Sequence, residues 1–189
     1  MLITVSGAQG SGKSTVLSAI EQLGYPVVQR KTSRSILSDW GKTLDQINDD
    51  PELSILFQDE VLLRKQTDEL DAVEAHGYVF TERTYMDLFV YALINLGKFN
   101  EYSDWLDSYY LRCAEAQKSY TNVFYLQSGL FNVQADGVRG SNKHYSRLVD
   151  LVMYDYTKSS TPADSFVLID VPGVDQRVDI IKSHLTSIE

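Results

Sequence analysis

The chain has 189 residues, 43% of them hydrophobic and 23% charged, with few prolines. That is the length and composition of one globular domain, and it excludes a disordered or fibrous protein. A formal net charge of −9 argues against a broad surface for nucleic acid, because such affinity rests on neutralising phosphates with Lys and Arg; phosphate chemistry here must use a local cluster of cations. The single cysteine, Cys113, rules out an internal disulfide and suits a reducing, cytoplasmic setting. No basic leader precedes Leu2, and no apolar run reaches the roughly 18 residues of a membrane span, so no membrane partner is expected.

In chain order, Leu2 to Ser6 reads as a buried parallel strand. After a glycine-rich turn, Val16, Leu17, Ile20 and Leu23 recur at helical spacing until Gly24. Tyr25 to Val28 reads as a second strand, followed by a polar, basic loop from Gln29 to Arg34 at a position where strand ends meet ligands in α/β sheets. Asp50-Pro51 starts a long lid or flank helix that runs to about Gly77, with Ile55, Leu56, Leu62, Leu63, Leu70 and Val73 as its apolar positions. Tyr78 to Thr81 is the third strand, Asp87 to Leu96 a helix closed by Gly97, and Ser103 to Tyr120 a helix capped by Ser103 and Asp104. Asn122 to Leu126 is the fourth strand, 127–142 a polar loop, and 143–158 a helix with Leu148, Leu151 and Val152 inward. Phe166 to Ile169 is the fifth strand, and a last helix starts near Asp175. Strands alternating with helices predict one α/β domain over 1–189, a five-stranded parallel sheet with helices on both faces.

Residues Gly7, Ala8, Gln9, Gly10, Ser11, Gly12, Lys13 and Ser14 fit G-x-x-x-x-G-K-S between the first strand and its helix, with Thr15 next in the cradle. Glycine at Gly10 lets the backbone close around a phosphate, and the helix adds its positive N-terminal end. Lys13, expected to be an exposed phosphate contact, reaches the β- and γ-oxygens, and the Ser14 hydroxyl can ligate Mg²⁺.

A switch-type GTPase is the rival from another class, since Asp170-Val171-Pro172-Gly173 imitates a switch motif. It lies too late in the sequence, and Asn142-Lys143-His144-Tyr145 lacks the acid of a guanine-reading segment. As the loop after the last strand, that turn is instead where a kinase rests an adenine ring. Kinases of small acceptors also need an acid near the metal or attacking oxygen, cations for the acceptor, and a lid carrying arginines. Glu82 and Arg83 stand side by side at the end of the third strand, where a structural ion pair is the plainer alternative.

The phosphate loop in its G-x-x-G-x-G-K-S form resembles that of nucleoside monophosphate kinases. Glu82-Arg83-Thr84 resembles both the Asp-Arg-x signature of thymidylate kinases and the Glu-Arg-Ser signature of deoxynucleoside kinases, with Phe89, Tyr91 and Ala92 behind it as in the latter. Asp136-Gly137-Val138-Arg139 resembles the Asp-Gly-x-Arg of compact P-loop kinases that include nicotinamide riboside kinase domains and phage nucleotide kinases. The whole is most similar to an atypical phage-type deoxynucleoside monophosphate kinase of the thymidylate kind.

That resemblance implies ATP and Mg²⁺ as the donor pair, with Lys13 and Ser14 handling them and Glu82 positioning the metal or the acceptor. It implies that Arg83 holds the acceptor phosphate and that Arg34, with Arg30 and Lys31, reaches the acceptor. Arg139, with Lys143 or Arg147, would come from a lid at about 127–147 to the transferred phosphoryl. Tyr85 and Phe89 are the residues placed to contact a base. The implied acceptor is a deoxynucleoside monophosphate, dTMP foremost. A nucleoside or nicotinamide riboside kinase, a kinase of modified bases in phage DNA, and a non-enzymatic nucleotide-binding module stay open. His76, His144 and His184 are scattered without partners at ligand spacing, Cys113 reads as a core residue, and the aromatic stretch Tyr102, Trp105, Tyr109, Tyr110 reads as packing or a partner surface, leaving a homodimer open.

Overall fold

The computed structural model describes residues 1–28, 32–129 and 143–186. Its centre is a parallel sheet of β1 (Leu2–Ser6), β2 (Val79–Glu82), β3 (Tyr120–Leu126) and β4 (Phe166–Ile169) in the order β2-β1-β3-β4. Every residue of β1 is buried, as expected for a central parallel strand covered on both faces. Its side chains alternate. Ile3 and Val5, with Phe80 and Phe124, pack under α1 (Lys13–Gln22) and α8 (Val174–Thr186) through Val16, Ile20, Val178 and Ile181. On the other face Leu2, Val79 and Val123 join a core with the long helix α4 (Pro51–His76), α5 (Tyr85–Leu96) and α6 (Ser103–Gln117), while α7 (Lys143–Ser159) packs on Tyr125 through Val149 and Met153. Among the described residues no helix is long and apolar enough to cross a membrane.

The sheet has four strands among the described residues rather than the five expected. Tyr25 to Val28 contributes one parallel bridge, Val27 to Phe80, flanked by Val28 N–H donating to Phe80 O at 2.8 Å and Phe80 N–H donating to Pro26 O at 2.9 Å. Pro26 has no N–H to extend that ladder. Two helices were unforeseen: α2 (Thr32–Trp40) begins inside the expected basic loop, and α3 (Leu44–Asn48) opens on a reciprocal capping box between Thr43 and Gln46.

Helix phases also differ from expectation. On α4, Leu56, Leu63 and Leu70 are exposed, and the buried side combines Phe57, Val61 and Leu62 with Lys65, Asp68 and Glu69. On α7, Leu148 and Leu151 face solvent while Val149, Asp150, Met153 and Thr157 turn inward. The N-cap of α6 is Tyr102 without a side-chain bond, so Ser103 and Asp104 lie in its first turn rather than capping it. The helix ends at Gln117, and Tyr120 already belongs to β3.

Candidate active site

The phosphate loop joins the end of β1 to α1. At Gly7 the backbone has φ +136°, and an added Cβ would lie 2.5 Å from Leu126 O, so only glycine fits beside β3. Gly12, at φ +91°, is the N-cap of α1. Lys13 is 4% exposed, not the exposed side chain expected, because its Nζ folds back to donate to Gly7 O at 2.8 Å and Ala8 O at 3.0 Å. Those carbonyls gather negative dipole that the ammonium offsets. The Ser14 hydroxyl donates to Glu82 Oε2 at 3.2 Å, bringing the loop and the end of β2 together.

At Arg83 the chain turns with φ +72°, a left-handed value that costs a side-chain-bearing residue roughly 1 kcal/mol. Three bonds hold it there. Arg83 N–H donates to Val5 O at 2.9 Å, and its carbonyl accepts from Thr4 Oγ1 at 2.8 Å and from the Tyr120 hydroxyl at 3.3 Å. The guanidinium lies 4.9 Å from the Tyr91 ring centroid. Thr84 then caps α5, with its hydroxyl accepting from Asp87 N–H at 3.0 Å. Asp87, fully buried, accepts through Oδ1 from Ser6 and Thr84, each at 2.7 Å, which ties α5 to the strand feeding the phosphate loop.

Beside Ser14 and Glu82 lies a cavity of about 550 Å³, within the range of nucleoside-sized ligands. Arg34 and Arg83 line it, with Lys65, Asp68 and Glu69 from α4 as a polar wall that sequence periodicity missed. A second hollow of about 660 Å³, lined by Trp40, Leu56, Leu63 and Arg112, lies on the outer side of α4 and holds no residue of the phosphate loop.

Several candidates lie elsewhere. Tyr85 and Phe89, expected beside a base, face the core. The Tyr85 hydroxyl donates to Glu69 Oε2 at 2.5 Å and its ring stacks on Tyr120, while Phe89 packs against Tyr110 and Tyr156. Burial beside the Glu69 carboxylate pushes the Tyr85 phenol well above its ordinary value. Arg147 is exposed on α7 and donates to Asp150 at 3.3 Å, away from the cavity. Arg30, Lys31, Arg139 and the side chain of Lys143 lie outside the described residues, as does most of the expected lid, 130–142.

Arg177 was not foreseen. From α8 its Nε donates to Val171 O at 2.7 Å and its NH1 to Ser11 O at 2.6 Å, so one guanidinium clasps the turn after β4 to the phosphate loop. Its only sequence signal was a cation one helical turn past the Val171-Pro172-Gly173 turn.

These residues fit a magnesium nucleotide. The Ser14 hydroxyl and Glu82 carboxylate are the hard oxygen donors Mg²⁺ takes, and Ser11 Oγ is buried in the cradle with no hydrogen-bond partner among the described residues. Among the described residues no three His, Cys, Asp or Glu are grouped so as to hold a metal ion by themselves, so phosphate oxygens would complete the coordination of such an ion.

Comparison with known families matches residues 2–169 to the AAA domain family. No curated protein matches the sequence. Among solved structures, the NadR protein in complex with NR superposes with a TM-score of 0.71 at 14% identity, covering 97% of this chain and 51% of the NadR chain, about half its length. The deoxyadenosine kinase from M. mycoides with products dCMP and a flexible dCDP superposes with a TM-score of 0.70 at 17% identity, covering 99% of this chain and 100% of that one. The same kinase with bound dATP also gives 0.70. At such identity the likeness establishes the fold, which is that of P-loop kinases.

Proposed function

Since this chain belongs to the AAA domain family and has a P-loop kinase fold, we propose that it transfers the γ-phosphoryl of ATP to a nucleoside-type acceptor held in the 550 Å³ cavity. The observation that carries this reading is the Ser14–Glu82 contact at 3.2 Å, which puts the hydroxyl of a phosphate loop and a carboxylate together at the edge of a nucleoside-sized cavity. The backbone amides of residues 7–14 and Lys13 hold the donor phosphates; Lys13 exchanges its bonds to Gly7 and Ala8 for phosphate oxygens. Mg²⁺, bound with ATP, neutralises charge on the phosphates. Glu82 and Ser14 orient that end of the donor, and Arg83, braced on Tyr91, faces the acceptor. The acceptor oxygen, a nucleoside hydroxyl or a monophosphate oxygen, forms the new P–O bond to the γ-phosphorus as the bond to the β,γ-bridging oxygen breaks. ADP leaves, and a hydroxyl acceptor gives up its proton to solvent, so catalysis is positioning plus charge stabilisation. Arg139 is proposed to reach the transferred group from the lid, with Lys143 to assist it, whereas Arg147 would have to leave Asp150 to join them.

The acceptor class has two readings. A nucleoside, acting through its hydroxyl, is favoured by the balance of the described cavity wall, where Glu21, Asp68, Glu69 and Glu82 face Arg34, Lys65 and Arg83. A deoxynucleoside monophosphate, dTMP foremost by resemblance, is favoured by Arg34 and Arg83, two guanidinium forks lining one cavity. Incubation with ATP, Mg²⁺ and each nucleoside and nucleoside monophosphate, with products identified by mass, separates them. No acceptor-dependent ADP with any of them would leave a nucleotide-binding module and refute the kinase reading.

A further inference from the structure

Lys65 of α4 is 6% exposed at the cavity wall, yet it has nothing left to offer a ligand. An ammonium has three N–H groups, and Nζ donates to Glu69 Oε1 at 2.5 Å, Thr81 Oγ1 at 3.2 Å and the backbone carbonyl of Glu82 at 3.0 Å. Glu69, one helical turn on, is equally committed. Its Oε1 also accepts from the Tyr120 hydroxyl at 3.1 Å, and its Oε2 from the Tyr85 hydroxyl at 2.5 Å. The one proton of the Tyr120 hydroxyl is shared between Glu69 and the Arg83 carbonyl, 3.3 Å away, so the circuit reaches two consecutive peptide groups, those of Glu82 and Arg83. These flank the one described non-glycine residue with positive φ.

A buried ion pair contributes little net stability over apolar residues of the same shape, because both ions are desolvated. What it does supply is direction. A backbone carbonyl held by a saturated ammonium cannot rotate without breaking that hydrogen bond and leaving a buried N–H unpaired, and rotation at Glu82 would move its carboxylate off Ser14. We infer that Lys65 and Glu69 are positioning residues that set the Glu82–Arg83 turn, and through it the carboxylate that receives the metal-bound nucleotide. The inference rests on the kinase reading for its consequence in turnover, but its geometry concerns metal and nucleotide alone.

The test compares wild type, Glu82→Gln, the double variant Lys65→Met/Glu69→Gln, which leaves no lone buried charge, and Lys65→Arg. ATP affinity is measured by calorimetry with Mg²⁺ and with EDTA, beside thermal melts and steady-state kinetics. The double variant is expected to melt cooperatively and to bind ATP in EDTA within threefold of wild type. It should lose the gain in affinity that Mg²⁺ gives wild type, as Glu82→Gln does, with kcat down about 100-fold and acceptor KM within threefold. A double variant that keeps both the Mg²⁺ gain and kcat within threefold of wild type would overturn the inference, as would a wild type with no Mg²⁺ gain. If the double variant does not fold, Lys65→Arg decides: it keeps the charge but not the three-way ammonium geometry, so an undiminished Mg²⁺ gain refutes the positioning role. Absence of transfer by wild type to any acceptor would sink the kinase reading while the Mg²⁺ comparison still judged the pair.

Discussion

Replacing Lys13 by Met separates two roles that the structure gives one side chain. In the chain as described, Nζ donates to Gly7 O and Ala8 O. Ala8 O keeps a second donor, Ser11 N–H at 3.2 Å, whereas Gly7 O has no other among the described residues. One orphaned, largely buried acceptor costs about 1–3 kcal/mol, partly offset because the ammonium no longer has to be buried. The net expectation is about 1–2 kcal/mol of lost stability, a Tm lower by about 2–8 °C for a domain of this size. In turnover the same change removes a charge contact made to the transferring phosphoryl, so activity falls at least ~100-fold, equivalent to about 2.7 kcal/mol. Urea and thermal melts give the first quantity, and steady-state kinetics with the active acceptor gives the second. Near-normal turnover would show that the phosphate loop is not the donor site. A Tm equal to wild type would show that the two carbonyl bonds do not hold the loop.

With a deoxynucleoside monophosphate as acceptor, Arg83→Lys should raise its KM by about tenfold or more, about 1.4 kcal/mol, because an ammonium cannot copy the guanidinium fork; unchanged KM with collapsed ATP affinity would move Arg83 to the donor side. Arg139→Ala should lower kcat far more than ATP affinity, and equal losses in a titration and a rate assay would reassign Arg139 to ground-state binding. Burial pushes the Cys113 thiol up to about 12, above its unfolded value of about 8.5. The thiol's contribution is therefore intact below about pH 8.5 and is lost as pH rises toward 12, at up to about 1.4 kcal/mol per unit. Urea melts at pH 8, 9 and 10 should show a steeper decline in wild type than in Cys113→Ala, in which the buried tyrosines, also raised, add a loss of their own only near pH 10; parallel declines would refute it.

What could be read in advance was whatever depends on neighbours in sequence. The strand, the Gly7–Ser14 run and the following helix are one local unit, and Asp50-Pro51 and Gly77 bound α4 as capping chemistry requires. The inward face of α4 departs from its periodicity, which assumes that apolar residues turn inward. This helix instead uses Lys65, Asp68 and Glu69 to wall a cavity, leaving Leu56, Leu63 and Leu70 outside. The spacing of Tyr85 after Glu82-Arg83 points to a base, but its partner Glu69 lies 16 residues back on another element, a contact no local pattern carries. Arg177 is invisible in sequence for the same reason, and so are the bonds of Lys65 to Thr81 and Glu82, 16 and 17 residues on, although its pair with Glu69 is local.

The Arg177 clasp bears on how the protein is made. Ser11 and Arg177 are 166 residues apart, so a ribosome completes the phosphate loop long before the guanidinium that pins its Ser11 carbonyl exists. Contacts of such separation form late, since loop closure must be achieved before they contribute. A nascent chain stalled before α8 would display β1, α1 and the glycine-rich turn with the Ser11 carbonyl unclasped and with Ile3, Val5 and Phe124 lacking the cover of Val178 and Ile181. The Arg177 bond to the Ser11 carbonyl, and the cover of Val178 and Ile181, can therefore form only after the last described helix has left the exit tunnel.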